Sequence, residues 1–201
     1  MTGDWSYRGR DLVLGSLLLA ATVPLMAVIA IALLVTEGRP ILFRQQRPGQ
    51  HGRPFVLVKF RTMRAQTATE REDHERISRL GGFLRSTSLD ELPSLWNVVR
   101  GEMGMVGPRP LLDDYLSAYD GVQHLRHQVR PGVTGLAQVS GRNSLDWKDR
   151  LELDVHYVRH RSHLGDWGVL ARTVFIVLGR RGVRHPGHAT MPRLVDPPHE
   201  D

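Results

Sequence analysis

The sequence predicts a helix-rich α+β fold in which an apolar N-terminal segment precedes a compact polar domain. Three observations support this fold class. Leu12–Val35 carries no charged residue. Two short apolar or alternating runs, Ile41–Phe43 and Phe55–Lys59, enclose a stretch rich in Pro and Gly, which predicts a small β-hairpin. From position 147 onward, apolar residues recur at helical spacing.

The apolar run Leu12–Val35 is long enough to enter a membrane. As a helix it measures roughly 36 Å at ~1.5 Å per residue, against about 30 Å for a hydrocarbon core. It is longer than the ~7–15 apolar residues of a cleaved signal peptide. Pro24 lies in its middle, where it removes one amide donor and breaks or kinks a helix. Thr22 could satisfy a freed carbonyl.

Basic residues flank the run on both sides. Arg8 and Arg10 precede it and Arg39, Arg44 and Arg47 follow it. Since Lys and Arg near a membrane segment tend to stay cytoplasmic, a simple crossing leaves one cluster on the wrong side. A re-entrant helix hairpin broken at Pro24 would return both ends to the cytoplasm. A kinked helix that spans the membrane stays open from these residues alone.

Composition limits the function classes. The 201 residues contain 27 Lys and Arg against 21 Asp and Glu, a net charge of +6, which suits anionic headgroups or phosphorylated substrates. The positive charge also permits nucleic acid as a partner, but the sequence shows no nucleic-acid-binding motif that would support it. The absence of cysteine excludes disulfides, thiol catalysis and Cys-type zinc sites. We predict a membrane-inserted segment over 1–38, a compact domain over 39–185 and a disordered proline-rich tail over 186–201.

Further elements are predicted from local patterns. Ser88 is expected to N-cap a helix with Glu91 as its third residue. Two helices are predicted over Leu111–Gly121 and Trp147–Arg161. Leu164–Leu178 suits either an amphipathic helix in the headgroup plane or a helix packed in the core. Ala65–Ser78 is interpreted as a solvated helix or loop, and two Gly-rich stretches, 101–110 and 129–143, as irregular.

The adjacent acids Asp90 and Glu91 are the first candidates for chemistry. On a helix their side chains point in different directions, and the start of a helix favours the ionised carboxylate. Such an Asp can act as a nucleophile or bind Mg²⁺, although acids in a first turn are ordinarily capping residues. Six basic residues elsewhere in the sequence are candidates for binding substrate phosphates: Lys59, Arg61, Arg85, Arg109, Arg130 and Arg142.

Other catalytic classes are disfavoured. The ten histidines form no convincing metal set, and we interpret His156, His160 and His163 as surface or interfacial residues. No Gly-x-Ser-x-Gly elbow is present, which argues against a serine hydrolase.

Taken together, a series of motifs resembles the bacterial sugar transferase family, the monotopic phosphoglycosyl transferases, in a minimal catalytic form. The resemblance covers about Arg10 to Val177. Its motifs are Asp11 ahead of the run with Pro24, Arg47-Pro48-Gly49, Lys59-Phe60-Arg61-Thr62-Met63, Ser86-Thr87-Ser88-Leu89-Asp90-Glu91-Leu92-Pro93, Asn97-Val98, Met105-Val106-Gly107-Pro108-Arg109-Pro110, Arg130-Pro131-Gly132-Val133-Thr134-Gly135, Ser140-Gly141-Arg142-Asn143 and Leu153-Asp154-Val155-His156-Tyr157-Val158.

The resemblance implies a function and a location. Members transfer a phosphosugar from a UDP-sugar to undecaprenyl phosphate, releasing UMP. Asp90 would form the covalent phosphosugar intermediate, Glu91 would assist the metal or the acceptor, and both would hold Mg²⁺. Lys59, Arg85 and Arg109 would hold phosphates. The family also implies the re-entrant helix, contact with membrane lipids, and a catalytic domain on the cytoplasmic face of the bacterial inner membrane. Downstream glycosyltransferases are compatible further partners.

Two positions depart from the family pattern. The family's Ser-Pro break is Val23-Pro24 here, and its Gly-Trp-Ala-Gln is Gly135-Leu136-Ala137-Gln138. The loss of the Ser hydroxyl puts the hairpin angle in doubt, and the loss of Trp puts a sugar or nucleotide contact in doubt. Two further functions stay open at this point: a membrane-anchored scaffold with a decayed site and, from charge alone, a nucleic-acid binder. The sequence does not identify the sugar, the glycan pathway or the oligomeric state.

Overall fold

The computed structural model describes residues 3–64, 76–141, 145–179 and Leu194. Its helices are α1 (Gly3–Glu37), α2 (Arg79–Thr87), α3 (Leu95–Arg100), α4 (Leu136–Ser140), α5 (Trp147–His160) and α6 (His163–Gly179). Its strands are β1 (Leu42–Pro48), β2 (Pro54–Phe60), β3 (Gly104–Val106) and β4 (Gly132–Thr134). Four short 3₁₀ segments connect them: Gln50–Gly52, Leu89–Ser94, Asp113–Ala118 and Gln123–Gln128. Most of the predicted 65–78 segment and the predicted tail lie outside the described residues.

Helix α1 has 35 residues and runs through Pro24 without interruption. It is long and apolar enough to cross a membrane by length and composition. The predicted break at Pro24 is therefore not confirmed. The Thr22 hydroxyl donates to the carbonyl of Leu18 at 2.7 Å, so it does not serve the Ala20 carbonyl that Pro24 leaves without a partner.

One face of α1 packs against the rest of the protein on both sides of Pro24. In the N-terminal half, Gly15 approaches α3 so closely that a Cβ there would lie 2.8 Å from Val98 Cγ1. In the C-terminal half, Ile29 and Leu33 are buried in a cluster with Phe60 and Leu84. The opposite face leaves many large apolar side chains exposed. One face of the helix therefore packs in the core, and the other is an exposed apolar surface.

The predicted β-hairpin is confirmed. Strands β1 and β2 pair antiparallel from Leu42 opposite Phe60 to Pro48 opposite Pro54. Because side chains alternate along a strand, Lys59 lies on the same face as the buried Phe55 and Leu57. That face covers the main core, which places Lys59 at the edge of the packed interior.

The two Gly-rich stretches form a parallel strand pair, β3 with β4, that sequence reasoning missed. The glycines permit close approach of the two backbones: a Cβ on Gly132 would lie 2.1 Å from the Gly107 nitrogen. The Gly107 amide donates to the Thr134 carbonyl and the Gly132 amide donates to the Pro108 carbonyl. These two amides therefore donate within the protein.

The C-terminal helices complete the core. Helix α5 agrees with the predicted Trp147–Arg161, and its Leu151 and Val155 are buried. The predicted Leu111–Gly121 helix is only a 3₁₀ segment, Asp113–Ala118. Helix α6 buries Asp166 and Val169 but exposes Trp167, Leu164 and Phe175, so one side packs in the core and another side remains uncovered.

Candidate active site

The two adjacent acids lie in the 3₁₀ segment Leu89–Ser94, which links α2 to α3. Their predicted position in a first helical turn is confirmed. The predicted N-cap position is confirmed, since Ser88 directly precedes this segment and Glu91 is the third residue within it. The expected capping bond is absent: Ser88 has φ 57°, in the left-handed region, and its side chain makes no capping hydrogen bond. Ser88 also ends α2, because its amide donates back to the Arg85 and Leu84 carbonyls. This reversal of the chain turns Asp90 and Glu91 toward the β-hairpin.

Glu91 is the acceptor for two cations. Lys59 Nζ lies 2.6 Å from its Oε1 and Arg109 Nη2 lies 2.7 Å from the same oxygen. Burial on its own would raise the pKa of Glu91, but the charges of Arg109 and Lys59 outweigh it and hold that pKa well below its usual range. Glu91 is therefore an ionised carboxylate that fixes the positions of both cations.

Asp90 differs from Glu91 in its contacts. Its carboxylate makes no hydrogen bond or ion pair with any residue that the structure describes. Burial, followed by the negative charge of Glu91, raises the pKa of Asp90 to about 6, against the opposing charges of Lys59, Arg109 and Arg85. The direction is opposite to the sequence-based expectation for a helix start. At pH 7 the group remains mostly ionised and free to react.

Two further arginines lie near these charged groups, Arg85 close to Asp90 and Arg47 close to Arg109. Arg85, in the last turn of α2, has a buried Nη1 without a hydrogen-bond partner in the described structure. Arg47 has a buried Nε in the same condition, and its Nη2 donates to Gln45. Burial and the positive charge of Arg109 lower the pKa of Arg47 to about 10. Buried guanidinium donors without a hydrogen-bond partner suit an anionic ligand.

Sequence reasoning missed Arg47 as a site residue, although its Arg-Pro-Gly motif was a visible signal. Two predicted binders are not brought to the pair. Arg61 donates to the carbonyls of Glu37 and Gly38 at the end of α1. Arg130 donates to the Gly101 carbonyl and pairs with Asp4. Arg142 lies outside the residues that the structure describes.

A buried ion pair supports Arg109 from behind. Arg126 Nη2 donates to the Arg109 carbonyl at 2.7 Å and to Asp154 Oδ2 at 2.7 Å. Arg126 and Asp154 are each 2% exposed. Pro108 and Pro110 restrict the backbone on either side of Arg109. Sequence reasoning also missed Arg126. The only related signal in the sequence was the motif on α5 that contains its partner, Asp154.

The carboxylates suit a magnesium ion that is shared with a substrate. Among the described residues, no group of three or more His, Asp or Glu side chains could hold a metal. Mg²⁺, however, commonly uses one or two carboxylates together with water and substrate phosphates. Asp90 and the second oxygen of Glu91 accept no hydrogen bond from described residues, so they fit such a partial set of ligands.

Comparison with known proteins gives one family and several similar chains. The bacterial sugar transferase family matches residues 3–180. EpsL, an uncharacterised sugar transferase of Bacillus subtilis (strain 168), is 43% identical over 182 residues, covering 89% of this chain and 90% of EpsL. ExoY, an exopolysaccharide production protein of Sinorhizobium fredii, is 35% identical over 200 residues, covering 90% and 88%. A UDP-glucose:undecaprenyl-phosphate glucose-1-phosphate transferase of Caulobacter vibrioides is 40% identical over 184 residues, covering 85% and 69%.

Proposed function

The chain belongs to the bacterial sugar transferase family, and from this premise we propose that it transfers a sugar phosphate from a UDP-sugar to undecaprenyl phosphate. UDP-glucose is the first donor to test, because several similar enzymes carry UDP-glucose in their names. The products would be undecaprenyl-diphosphate-linked sugar and UMP. Family membership and sugar-phosphate transferase activity agree with the sequence-based resemblance.

The observation that carries the proposal is the unequal state of the two acids. Glu91 is held by Lys59 and Arg109, while the Asp90 carboxylate has no described partner. A nucleophile needs an oxygen that is ionised, unblocked and close to groups that bind its electrophile. Asp90 meets these requirements for a diphosphate, because the surrounding cations attract phosphate oxygens.

The proposed reaction has two displacements at one phosphorus atom. In the first, an Asp90 oxygen forms a bond to the sugar-bearing phosphorus, and the bond from that phosphorus to the bridging oxygen breaks. UMP leaves with the bridging oxygen and its electron pair. In the second, an oxygen of undecaprenyl phosphate attacks the same phosphorus, and the bond to Asp90 breaks. The carboxylate is restored, and the diphosphate linkage is complete.

The cations would divide the charge of the donor among them. Lys59 and Arg109 are held in place by Glu91, whereas Arg85 and Arg47 each bring a buried donor that has no partner among the described residues. Preorganised donors of this kind stabilise charge that develops during phosphoryl transfer. Mg²⁺, held by Asp90 and Glu91 with the diphosphate, would supply further neutralisation of the leaving UMP.

The contacts of α1 support a re-entrant placement in the membrane. Near its start, Arg8 donates to the Val98 and Val99 carbonyls. At its end, the Glu37 carbonyl accepts from Arg61. These two anchor points belong to one packed unit, because the Asn97 side chain bonds the backbone of β2. A spanning α1 would need its anchors on opposite sides of the bilayer. We therefore place both ends at the cytoplasmic face.

The chemistry is tested by Asp90→Asn, with Asp114→Asn as the exposed control. The purified enzymes receive UDP-glucose, Mg²⁺ and undecaprenyl phosphate, and UMP release is measured. The wild type and the control should turn over, and Asp90→Asn should not. Without acceptor, intact mass should show one added phosphosugar on the wild type and on the control, but not on Asp90→Asn. UMP release by Asp90→Asn at the wild-type rate would contradict the proposal.

The placement of α1 is tested with introduced thiols, since the chain contains no cysteine. Gly9→Cys and Thr36→Cys each place one exposed reporter near an end of α1. An impermeant maleimide should label both in inverted membrane vesicles and neither in intact spheroplasts. Labelling of Gly9→Cys alone from the periplasmic side would show a spanning helix.

A further inference from the structure

A cavity of about 430 Å³ lies at the C-terminal end of α1, where that helix meets β1. Its volume falls within the range of about 300–1,000 Å³ that is typical of small-molecule sites. Its lining consists of Leu34, Arg39, Pro40, Ile41, Leu42 and Arg44. None of the residues assigned to the proposed transfer reaction belongs to this lining, so the cavity requires a separate explanation.

The lining combines an apolar floor with two cations. Arg39 and Arg44 are exposed, and neither forms an ion pair or side-chain hydrogen bond in the part of the chain that the structure describes. No acidic residue lines the cavity. A ligand that fits this chemistry has a negatively charged group joined to a hydrocarbon chain.

The surroundings indicate where such a ligand would come from. Ile31 and Val35, on the last turns of α1, are 62% and 80% exposed, and Phe43 beside Arg44 is also exposed. Apolar surface of this kind next to a membrane-length helix is suited to lipid. Basic residues beside a membrane segment bind anionic headgroups, each contributing roughly fivefold in affinity.

We infer that this cavity binds one anionic phospholipid, with its phosphate between Arg39 and Arg44 and the start of an acyl chain against Leu34 and Ile41. The inference rests on the membrane placement of α1 proposed above and does not depend on the proposed chemistry. A bound lipid would fix the height of the C-terminal end of α1 at the membrane surface.

The test measures lipid retention by native mass spectrometry. Full-length protein in detergent is mixed with phosphatidylglycerol or with phosphatidylcholine, without any sugar nucleotide. The variants are Arg39→Gln with Arg44→Gln, and Leu34→Trp, which fills the cavity without changing charge. Matched controls are Arg53→Gln with Arg159→Gln, which remove two exposed charges elsewhere, and Leu18→Trp, at another exposed leucine of α1.

The wild type and both controls should retain one phosphatidylglycerol in preference to phosphatidylcholine. Loss of both arginines should weaken that binding about 30-fold, and Leu34→Trp should abolish it. Equal loss in the two double-arginine variants would overturn the inference, since general charge would then explain binding. Displacement of the lipid by glycerol phosphate, or one-for-one by undecaprenyl phosphate, would also overturn it. Because no turnover is measured, a failure of the proposed chemistry would not change these outcomes.

Flotation with neutral phosphatidylcholine vesicles tests the membrane placement separately. The wild type and all variants should float, because the exposed face of α1 is retained in each. Failure of the wild type to float would overturn the placement of α1, and with it the lipid assignment.

Discussion

Neutralising Asp154 should strongly destabilise the protein. Asp154 and its partner Arg126 are nearly inaccessible to solvent, and Arg126 donates to Asp154 Oδ2 from both Nε and Nη2. Asp154→Asn would leave the guanidinium buried without a counter-charge. Removing one partner of a buried pair costs about 3–5 kcal/mol. For a chain of this size, that corresponds to a fall of roughly 6–20 °C in melting temperature.

A double variant separates stability from activity. Arg126→Met with Asp154→Leu removes both charges together, a change that is often neutral for stability. It also removes the donor that holds the Arg109 carbonyl. We expect a melting temperature near that of the wild type but turnover reduced by roughly 10–100-fold, because small displacements of a phosphate-binding group cost that much.

The measurements are thermal melting in detergent and UMP release from UDP-glucose. Glu152→Gln, an exposed neutralisation on the same helix, is the control and should change stability by less than about 0.5 kcal/mol. If Asp154→Asn had the same melting temperature as this control, the ion pair would not contribute the expected stability. If the double variant kept full activity, Arg109 would not depend on Arg126 for its position.

Three further variants address the site and its surroundings. Arg47→Met should keep the melting temperature, because Arg47 forms no ion pair with a described carboxylate, but should raise the KM for UDP-glucose about tenfold or more; an unchanged KM, as expected for Arg53→Met, would remove Arg47 from the site. Glu91→Gln should lower kcat at least tenfold, since Lys59 and Arg109 lose their common anion; wild-type kcat would show that this anchoring is dispensable. Burial and the charge of Arg126 lower the pKa of His127 to about 4, against about 6.5 in an unfolded chain. The unfolded state therefore binds the extra proton between these values, and wild-type stability should fall as pH drops from about 6.5 to 4; His127→Gln should lose less stability between pH 7.5 and 5, by roughly 1 kcal/mol, and identical losses would contradict the assignment.

Local patterns predicted the elements that depend on near neighbours. The hairpin, helix α5 and the apolar α1 each follow from spacing and turn residues, and the acid pair was located by its first-turn signature. The structure adds that one acid is engaged and the other is not. That difference depends on Lys59 and Arg109, which lie far from Glu91 in sequence, and no local pattern encodes it.

The errors have a common physical origin in long-range contacts. The Gly-rich stretches are interpreted as irregular because three-residue strands give too short a signal, and their pairing joins distant residues, Gly104 with Gly132 and Val106 with Thr134. Ser88 precedes a helical segment as predicted, but its left-handed conformation also ends the preceding helix, and its side chain makes no capping bond. Arg61 and Arg130 were expected at the site, yet each is occupied by backbone carbonyls elsewhere.

The packing of α1 has a practical consequence for handling the protein. Ile29 and Leu33 complete a buried cluster with Phe60 and Leu84, and Gly15 accommodates α3. Trimming the anchor to obtain a water-soluble enzyme would open the interior and expose the residues beside the acid pair. Production of active material therefore calls for detergent, nanodiscs or a redesigned outer face of the first helix, with its inner face left intact.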